Sequence, residues 1–380
     1  MPLKILFLFG TRPEAIKLSP VVLHMRSRPS EFSVRVAVTA QHRRLLDQVL
    51  TTFDIRPNYD LDLMRSGQSL LQSSARILAA LEDVLNSERP QLVLVQGDTT
   101  TTVCGALGAF YENVPVGHVE AGLRTGDLRQ PFPEEMNRVV TTRLASLHFA
   151  ATQEAARNLC AEGVDSRKIA VTGNSGIDAV LYVRNGLEQG RWTADGENAL
   201  GTWLDDSKKL IVVTAHRRES FGEGFERICA ALSRLAERDD IQIVFPVHPN
   251  PNAHKPVCRH LSNRPNILLA EPLEYVPFID LMRRAFFVMS DSGGIQEEAP
   301  ALGKPVLVLR DKTERSEAVD AGTVRLVGTD VDCILREAHG LLDSPAAYQQ
   351  MSCAHNPYGD GRASERISRA ILSFFNEERS

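Results

Sequence analysis

Short apolar segments alternate with helical patterns along almost the whole chain, and this alternation restricts the fold more than any other feature. The first series of segments lies at 3–9, 33–39, 91–96, 114–119, 147–151 and 169–172. A second series lies at 209–214, 241–247, 266–270, 286–290, 305–309 and 323–327. Runs of this kind are typical of strands buried on both faces of a parallel sheet. Because right-handed crossovers place helices on both sheet faces, the sequence predicts two doubly wound, Rossmann-like α/β domains.

A polar, weakly periodic segment at 184–208 marks the region between the two series. The chain has 380 residues, which is more than one hydrophobic core usually spans. We assign 1–172 to an N-terminal domain and 173–360 to a C-terminal domain, although the join is compatible with any position up to 208. Apolar residues recur on one face of 361–375, so a last helix at about 361–380 is expected to join the first domain.

Composition and charge exclude several classes of protein. Forty-three basic and 48 acidic side chains give a net charge of −5, which lacks the basic footprint of a general nucleic-acid binder. No apolar stretch approaches the roughly 18 residues that a membrane span needs, and the N-terminal run predicts a buried strand rather than a signal peptide. The six cysteines stand singly, as in reduced cytosolic proteins. We therefore expect a cytoplasmic protein without nucleic-acid or membrane partners.

The sequence lacks the motifs of the common nucleotide cofactors and metals. It contains no G-x-G-x-x-G and no G-x-x-x-x-G-K-[ST], which argues against dinucleotide binding and against a P-loop. No tyrosine is followed four residues later by lysine, as the short-chain sugar-nucleotide epimerases require. There is no H-E-x-x-H, and the D-x-D at Asp60 and Asp62 is assigned to the surface. No cofactor and no metal are expected.

A turn in the second half of the chain predicts a diphosphate site. Small residues around Ser292 follow a strand and open a helix, and the N–H groups at such a helix start bind anions. Glu297 and Glu298 follow one turn later, where a carboxylate can bind both hydroxyls of a ribose. Arg310 and Arg315 follow the next strand and are candidates for the same phosphates. The alternative is an ordinary capped helix with Ser292 as its N-cap.

Acidic side chains and one histidine follow several predicted strands. They are Asp98, Glu120, Glu134 and His216, and Arg12 and Lys17 follow the first strand. Buried acids are costly unless they are paired or functional. Together these residues predict acid/base groups at the carboxyl edges of the sheets, with positive charge for a departing phosphate.

Each of these residues also has a purely structural interpretation. Asp98 can be the N-cap of the helix at 99–110, and Glu120 can form an ion pair with Arg124. His216 can be a hydrogen-bonded core residue, and Glu134 can be a plain acid of the first turn of a helix.

Long motifs in order along the chain resemble one known family. They are GTRPEAIKLSP (10–20), QHR (41–43), GDTTT (97–101), HVEAGLRTGD (118–127), PFPEEMNR (131–138), HRRES (216–220), SDSGGIQEEAP (290–300) and GKPVLVLRDKTERSEAVDAGTVRLVG (303–328). The chain resembles the bacterial non-hydrolysing UDP-N-acetylglucosamine 2-epimerases. The resemblance implies a GT-B-like fold whose two Rossmann-like domains face an interdomain cleft, and a homodimer. It also implies interconversion of UDP-N-acetylglucosamine and UDP-N-acetylmannosamine without NAD or an essential metal.

The resemblance also assigns site residues at matching positions. Those around the sugar and the departing phosphate are Arg12, Lys17, Asp98, Glu120, Glu134 and His216. Those of the UDP site are Leu273, Phe278, Ser292, Gly293, Gly294, Glu298 and Arg315. Candidates for a second, activating UDP-N-acetylglucosamine are Gln41, Arg217 and His248. Two departures stand out, since Leu273 replaces a glutamine of some members and Ser175-Gly176 replaces an expected Thr-Val.

In the family, UDP is eliminated to leave 2-acetamidoglucal, and UDP is then added back after protonation of the other face of C2. This chemistry needs cations or dipoles at the leaving diphosphate and proton-transfer groups on both faces of the ring. Exclusion of water is also needed, so domain closure is expected. The alternatives are a GT-B glycosyltransferase with a UDP-sugar donor, a hydrolysing epimerase, and a non-catalytic nucleotide-sugar sensor.

Overall fold

The computed structural model describes residues 1–40, 43–65, 67–192, 200–217, 220–247 and 250–377. The chain forms two compact units, the first containing Met1–Ala179 with Tyr358–Ser380 and the second containing Val180–Pro357. Each unit is built on its own parallel β-sheet. The predicted α/β class with two parallel-sheet domains is therefore confirmed.

The described part of the first unit contains a seven-stranded parallel sheet. Its strands are β1 (Leu3–Phe9), β2 (Phe32–Val38), β3 (Tyr59–Asp60), β4 (Leu92–Gln96), β5 (Val116–Ala121), β6 (Leu147–Ala150) and β7 (Ile169–Val171). They are ordered β3-β2-β1-β4-β5-β6-β7. The direction in which the sheet grows reverses between β1 and β4, and ligands of doubly wound sheets bind beyond the carboxyl ends of the strands at such a point.

Helices connect the strands of this sheet. They are α1 (Arg12–Arg26), α2 (Arg43–Thr52), α3 (Leu70–Glu88), α4 (Thr100–Tyr111), α5 (Glu134–Leu144), α6 (Gln153–Ala161) and α7 (Ser175–Glu188), which continues into the second unit. Several begin at a hydroxyl side chain that accepts a backbone N–H of the first turn, at Thr11, Ser69, Thr99 and Thr152. Such caps satisfy N–H groups that have no partner within the helix, and they thereby fix the residue at which each helix begins.

The second unit has a six-stranded parallel sheet in its described residues. Its strands are β8 (Lys209–Thr214), β9 (Ile241–Pro246), β10 (Ile267–Ala270), β11 (Phe287–Ser290), β12 (Val306–Val308) and β13 (Val324–Leu326). The helices are α8 (Leu200–Trp203), α9 (Glu223–Leu235), α10 (Pro251–Leu261), α11 (Tyr275–Arg284), α12 (Gly293–Ala301), α13 (Ser316–Asp320), α14 (Val331–Asp343) and α15 (Pro345–Ser352). The strand order β10-β9-β8-β11-β12-β13 places a second reversal between β8 and β11.

The last helix, α16 (Ala363–Glu377), packs on α1 within the first unit. His24 Nε2 of α1 lies 3.0 Å from the Ser368 hydroxyl. The Asp178 carboxylate of α7 accepts the N–H groups of Ala363 and Ser364 at 3.2 and 2.8 Å, and thereby caps the start of α16. The returning C-terminal segment is thus fixed by both packing and capping.

The strands form because their side chains are apolar on both faces. Ile5, Leu6, Phe7 and Phe9 of β1 are fully buried, and the same holds for Ile211 and Val212 of β8. Each such side chain contributes about 1.5–3 kcal/mol on burial. The short strand β3 was not predicted, because two residues at a sheet edge give no periodic signal.

No helix among the described residues is long and apolar enough to cross a membrane. All six cysteines are free thiols, and Cys160 and Cys353 are exposed.

Candidate active site

The first loop of the candidate site begins at Gly10, where β1 ends. A Cβ atom on this residue would lie 2.0 Å from Thr39 Oγ1, so only glycine fits here. The Thr11 hydroxyl accepts the Glu14 N–H at 3.4 Å, and Glu14 Oε2 accepts the Thr11 N–H at 2.7 Å. This capping box begins α1 directly after the strand, and it places Lys17 one turn into the helix.

The Glu14 carboxylate joins this loop to the loop that follows β4. Its Oε2 also accepts the Gly10 N–H at 3.0 Å, and its Oε1 accepts the hydroxyls of Thr99 and Thr102 at 2.7 and 3.2 Å. Burial raises the pKa of the Glu14 carboxyl, although hydrogen bonds from Thr99, Thr11 and Gly10 oppose that rise. One buried acid therefore holds the starts of α1 and α4 together.

Asp98 lies in the β4–α4 loop and is not the cap of α4, so that interpretation is wrong. The cap is Thr99, whose hydroxyl accepts a first-turn N–H at 3.1 Å. The Asp98 carboxylate instead accepts a hydrogen bond from the Arg138 guanidinium, and its backbone carbonyl accepts Asn137 Nδ2–H at 2.8 Å. Burial raises the pKa of Asp98, Arg138 lowers it and the charge of Glu120 raises it, so the net effect is upward.

Glu120 lies near the end of β5, where the register with β6 shifts. Its φ is 63°, in the left-handed region that non-glycine residues seldom adopt and that recurs at functional sites. Its carboxylate accepts a hydrogen bond from Lys17 Nζ at 2.5 Å. The interpretation that paired Glu120 with Arg124 is wrong, because Arg124 donates two hydrogen bonds to Glu162 at 2.6 and 2.9 Å.

Glu134 and Glu135 are first-turn acids of α5, as their structural interpretation proposed, but they differ in environment. Glu135 is buried, and it accepts hydrogen bonds from the N–H groups of Thr125 and Gly126 and from Arg138 Nη1 at 3.0–3.1 Å. Glu134 is half-buried, and its Oε2 atom is buried without a hydrogen-bond partner among the described residues. Glu135 therefore organises the preceding loop, whereas Glu134 is available for a ligand.

Four of the predicted residues, Lys17, Asp98, Glu120 and Glu134, line one pocket of about 410 Å³ in the first unit. That volume lies within the range of small-molecule sites. The pocket opens beyond the carboxyl ends of β1 and β4, where the strand order reverses. Arg12 is the first residue of α1 but is not among the residues that line this pocket.

A buried histidine supports the turn that carries Asp98. His118 Nε2 lies 2.7 Å from the carbonyl oxygen of Gly97, so this nitrogen must carry the proton that it donates. Burial lowers the pKa of His118 to about 3, so the imidazole is neutral at neutral pH. The histidine fixes the backbone of the loop without adding a charge.

In the second unit, His216 follows β8 and lies beside Asp291, the first residue after β11. Asp291 is fully buried, and its Oδ2 accepts the N–H groups of His216 and Arg217, both at 2.7 Å. Its Oδ1 lies 3.2 Å from His216 Nδ1. The His216 side chain is 43% exposed, so the interpretation of a core histidine is wrong. Asp291 thus joins the two loops at the strand-order reversal of this sheet.

Ser292 is the N-cap of α12 by position, but its side chain makes no capping hydrogen bond. Gly293 and Gly294 form the first turn, whose N–H groups have no intrahelical partner and favour an anion. A Cβ atom on Gly294 would lie 3.7 Å from Glu298 Oε1, so the Glu298 carboxylate lies over the start of the helix. This turn can therefore be both the start of a helix, with Ser292 at the N-cap position, and a site for an anion.

Both predicted phosphate-binding arginines lie among acids. Arg315 Nε donates to Glu297 Oε1 at 2.7 Å, and its Nη1 lies 3.0 Å from Glu314 Oε1. Arg310 Nη1 donates to Glu314 Oε2 at 2.8 Å. Because Glu297 is buried in this ion pair, Glu298 is the better of the two acids for a ribose.

The remaining predicted residues lie in different places. Leu273 and Phe278 are half-buried and flank the start of α11. Arg217 is described, and its Nη2 lies 3.9 Å from Glu314 Oε1. Gln41 and His248 lie outside the described residues.

Several polar residues that support the site were missed by sequence reasoning. They are Glu14, Gln96, Arg138, Asn174 and Asp291, which bind the loops or carboxylates described above. All of them lie close to a strand end or in the first turns of a helix. In the sequence they lie within the quoted motifs or close to them. Their partners are distant in the sequence, so spacing alone gives no signal for the contacts.

Among the described residues, no cluster of three histidine, cysteine or acidic side chains is arranged to hold a metal ion. The first unit brings together the three predicted acids and a lysine in one pocket, and the second unit has a helix start whose N–H groups favour an anion.

Comparisons with known proteins identify similar chains along the whole length. A family model described as UDP-N-acetylglucosamine 2-epimerase matches residues 24–372. A relative from Ralstonia nicotianae named "Probable UDP-N-acetylglucosamine 2-epimerase" is 55% identical, covering 98% of this chain and 99% of its own. UDP-N-acetylglucosamine 2-epimerase of Escherichia coli strain K12 is 54% identical, covering 97% and 98%. A crystal structure of UDP-GlcNAc 2-epimerase from Neisseria meningitidis bound to UDP-GlcNAc matches with a TM-score of 0.89 at 47% identity, covering 98% and 100%.

Proposed function

Because this chain belongs to the UDP-N-acetylglucosamine 2-epimerase family, we propose that it interconverts UDP-N-acetylglucosamine and UDP-N-acetylmannosamine without hydrolysing them. The observation that carries this proposal is the pocket of the first unit, in which Lys17, Asp98, Glu120 and Glu134 converge. The function is that of an isomerase that inverts one carbon of a nucleotide-linked sugar.

The chemistry explains why several acids are needed. The hydrogen on C2 of the sugar is not acidified by a carbonyl group, so its direct removal is prohibitive. When the C1–O bond breaks, its electron pair leaves on the β-phosphate oxygen of UDP and C1 becomes cationic. Loss of the C2 proton to a base then gives 2-acetamidoglucal with a double bond between C1 and C2. Protonation of the opposite face of C2 and attack of UDP on C1 give the epimer.

The acids of the pocket are proposed as the proton-transfer groups. Two such groups must face opposite sides of the ring, and Asp98, Glu120 and Glu134 provide more than one carboxyl. The raised pKa of Asp98 favours a group that both accepts and releases a proton. Lys17 Nζ, 2.5 Å from Glu120 Oε1, supplies positive charge beside one of these acids.

The leaving diphosphate is proposed to be stabilised by cations and helix dipoles. The turn formed by Ser292, Gly293 and Gly294 offers N–H groups at the start of α12, and His216 and Arg315 lie in the neighbouring loops. We propose that Arg12 also contacts the diphosphate, and its position at the start of α1 supports this.

The uridine is proposed to bind in the second unit. Glu298 would accept the ribose hydroxyls, because its carboxylate lies over the first turn of α12. Leu273 and Phe278 would pack on the uracil through half-buried apolar surface and backbone contacts. A second UDP-N-acetylglucosamine is proposed as an activator that contacts Arg217 together with Gln41 and His248.

We propose a homodimer in the cytoplasm. Neighbouring helices α4 and α5 expose large apolar side chains, with Phe110 and Tyr111 at 55% and 67% exposure and Met136 and Val140 at 37% each. Exposed apolar surface of this kind is typical of an interface. The free thiols of all six cysteines are in keeping with a reducing compartment.

Incubation with UDP-N-acetylglucosamine alone tests the proposal. A non-hydrolysing epimerase produces a second UDP-linked sugar until the two epimers are at equilibrium. Free N-acetylmannosamine with UDP would identify a hydrolysing epimerase instead. Absence of any reaction without an added acceptor would favour a glycosyltransferase or a sugar sensor and would refute the proposal.

A further inference from the structure

In the part of the chain that the structure describes, three side chains from separate parts of the first unit donate hydrogen bonds to the Glu120 carboxylate. Lys17 Nζ of α1 and Asn174 Nδ2 donate to Oε1 at 2.5 and 3.1 Å. Gln96, the last residue of β4, donates through Nε2 to the other oxygen, Oε2. Both carboxylate oxygens are therefore engaged.

The backbone of Glu120 is fixed as well as its carboxylate. The left-handed φ of 63° at this residue accompanies the register shift between β5 and β6. A backbone in this region persists only where the surroundings determine it. The surroundings here include the two amide side chains, since Gln96 and Asn174 are each only 3% exposed.

We infer that Gln96 and Asn174 are positioning residues for the epimerisation, acting through Glu120. The inference rests on the proposed function and deepens it. Amide N–H groups that donate to a carboxylate favour its ionised form. The two amides thus favour the ionised carboxylate and fix its direction, while an amide itself does not titrate at ordinary pH.

The environment of Asn174 fixes which way its amide points. Its Oδ1 accepts the N–H of Gly176 at 2.9 Å, so Nδ2 faces Glu120. Its own N–H donates to the carbonyl oxygen of Tyr358 at 2.7 Å. Asn174 is therefore held by the start of α7 and by the segment that returns to the first unit.

Other charged groups line the same pocket as Glu120 and come from several elements of the first unit. Lys17 and Glu14 come from α1, Asp98 from the β4–α4 loop and Glu134 from α5. His118 of β5 is neutral, because burial lowers its pKa to about 3. Lys17 and Asp98 therefore act electrostatically on Glu120 in addition to the two amides.

The test compares the pH dependence of turnover in two variants with that of the wild type. Gln96→Met removes one donor at nearly constant shape, and Asn174→Asp keeps the acceptor for Gly176 but turns a carboxylate oxygen toward Glu120. Both changes raise the pKa of Glu120. The acidic limb of the kcat profile is therefore expected to move to higher pH by about one unit, with kcat reduced at least tenfold and KM changed by less than about threefold.

Two amides of the second unit, the buried Gln242 and the half-buried Asn266, provide controls. Gln242 is 4% exposed, and its Nε2 donates to the carbonyl oxygen of Asp205 at 2.7 Å. Asn266 Nδ2 donates to the carbonyl oxygen of Ala236 at 3.0 Å. Gln242→Met and Asn266→Asp are expected to lower thermal stability without moving the pH profile.

The outcomes separate this inference from the proposed function. An upward shift of the acidic limb in both variants, absent from both controls, supports the inference. An unmoved limb overturns it, provided that the wild type forms the epimer. If the wild type forms no epimer, the proposed function itself fails. Should Gln96→Met not fold, Gln96→Asn carries the same test, because its amide is one methylene group too short to reach Glu120.

Discussion

Replacing Glu14 with alanine removes the acceptor that four donors share at the junction of α1 and α4. The two threonine hydroxyls keep other partners, because Thr102 Oγ1 also donates to the Gln96 carbonyl oxygen and Thr99 Oγ1 still accepts the Thr102 N–H. The N–H groups of Gly10 and Thr11 lose the acceptor seen in the structure. The substitution therefore removes the hydrogen-bond partner mainly from two backbone N–H groups.

The loss of unfolding free energy in Glu14→Ala follows from those two backbone N–H groups. A buried N–H group left without a partner costs roughly 1–3 kcal/mol, so the buried Gly10 N–H and the partly buried Thr11 N–H together cost up to roughly 6 kcal/mol. Part is offset because Glu14 is a buried acid whose raised pKa reflects the cost of its charge. We expect a net loss of about 3 kcal/mol, which lowers the melting temperature of a unit of about 200 residues by roughly 6–12 °C.

Thermal unfolding followed by circular dichroism measures this loss, with Thr152→Ala as control. Thr152 caps α6 in the same unit through a 3.1 Å hydrogen bond from the Ala155 N–H, and its loss is expected to cost about 1 kcal/mol. Glu14→Gln should also be mild, because the threonine hydroxyls can accept from the new amide. A melting temperature of Glu14→Ala within about 3 °C of that of Thr152→Ala would contradict the role given to the Glu14 carboxylate.

Three further predictions concern the acids, the nucleotide and the buried histidine. Arg138→Met should raise the pKa of Asp98 and move the acidic limb of kcat/KM upward, whereas Arg124→Met, which breaks an ion pair of similar burial away from the acids, should leave that limb in place. Glu298→Ala should weaken UDP binding by about 10-fold or more in calorimetry, and unchanged binding would remove this residue from the nucleotide site. The folded-state pKa of His118, about 3 against an ordinary 6.5, means that the unfolded chain binds more protons between these values. Stability should therefore fall as pH drops below about 6.5, by up to about 1.4 kcal/mol per pH unit from this group, and urea unfolding of His118→Gln should show a shallower fall.

The fold could be predicted because its strands carry a strong local signal. The run LKILFLF is apolar on both faces, and it forms β1 over the predicted residues. The two residues of β3 carry no such signal, and β3 exists only because β2 offers a partner at the sheet edge. Length of the apolar run therefore decided which strands could be predicted.

The position of the candidate residues was predictable, but their partners were not. Asp98 and Thr99 are both good capping residues, and Gly97, with φ of 72°, turns the chain so that Thr99 becomes the cap. Glu120 and Arg124 are four residues apart, a spacing that brings side chains together on a helix but not at a strand end. At a strand end, the ion-pair partner of a side chain depends on how the sheet and its helices pack, and this packing brings Lys17 to Glu120.

The supporting residues are the clearest case of information that only the fold supplies. Asp291 lies 75 positions from His216, and Asn174 lies 54 positions from Glu120. No local pattern relates such pairs. They meet because the carboxyl ends of all strands of a parallel sheet lie at one edge, where β8 and β11 are neighbours and β5 and β7 are separated only by β6.

The reaction proposed for this pocket passes the C2 hydrogen of the sugar to a protein acid that exchanges protons with water. Turnover of UDP-N-acetylglucosamine in D₂O, followed by proton NMR and mass spectrometry, measures that exchange directly. We predict that the epimerised UDP-sugar carries deuterium at C2. Retention of the original hydrogen in the epimerised product would contradict elimination and the role given to the acids.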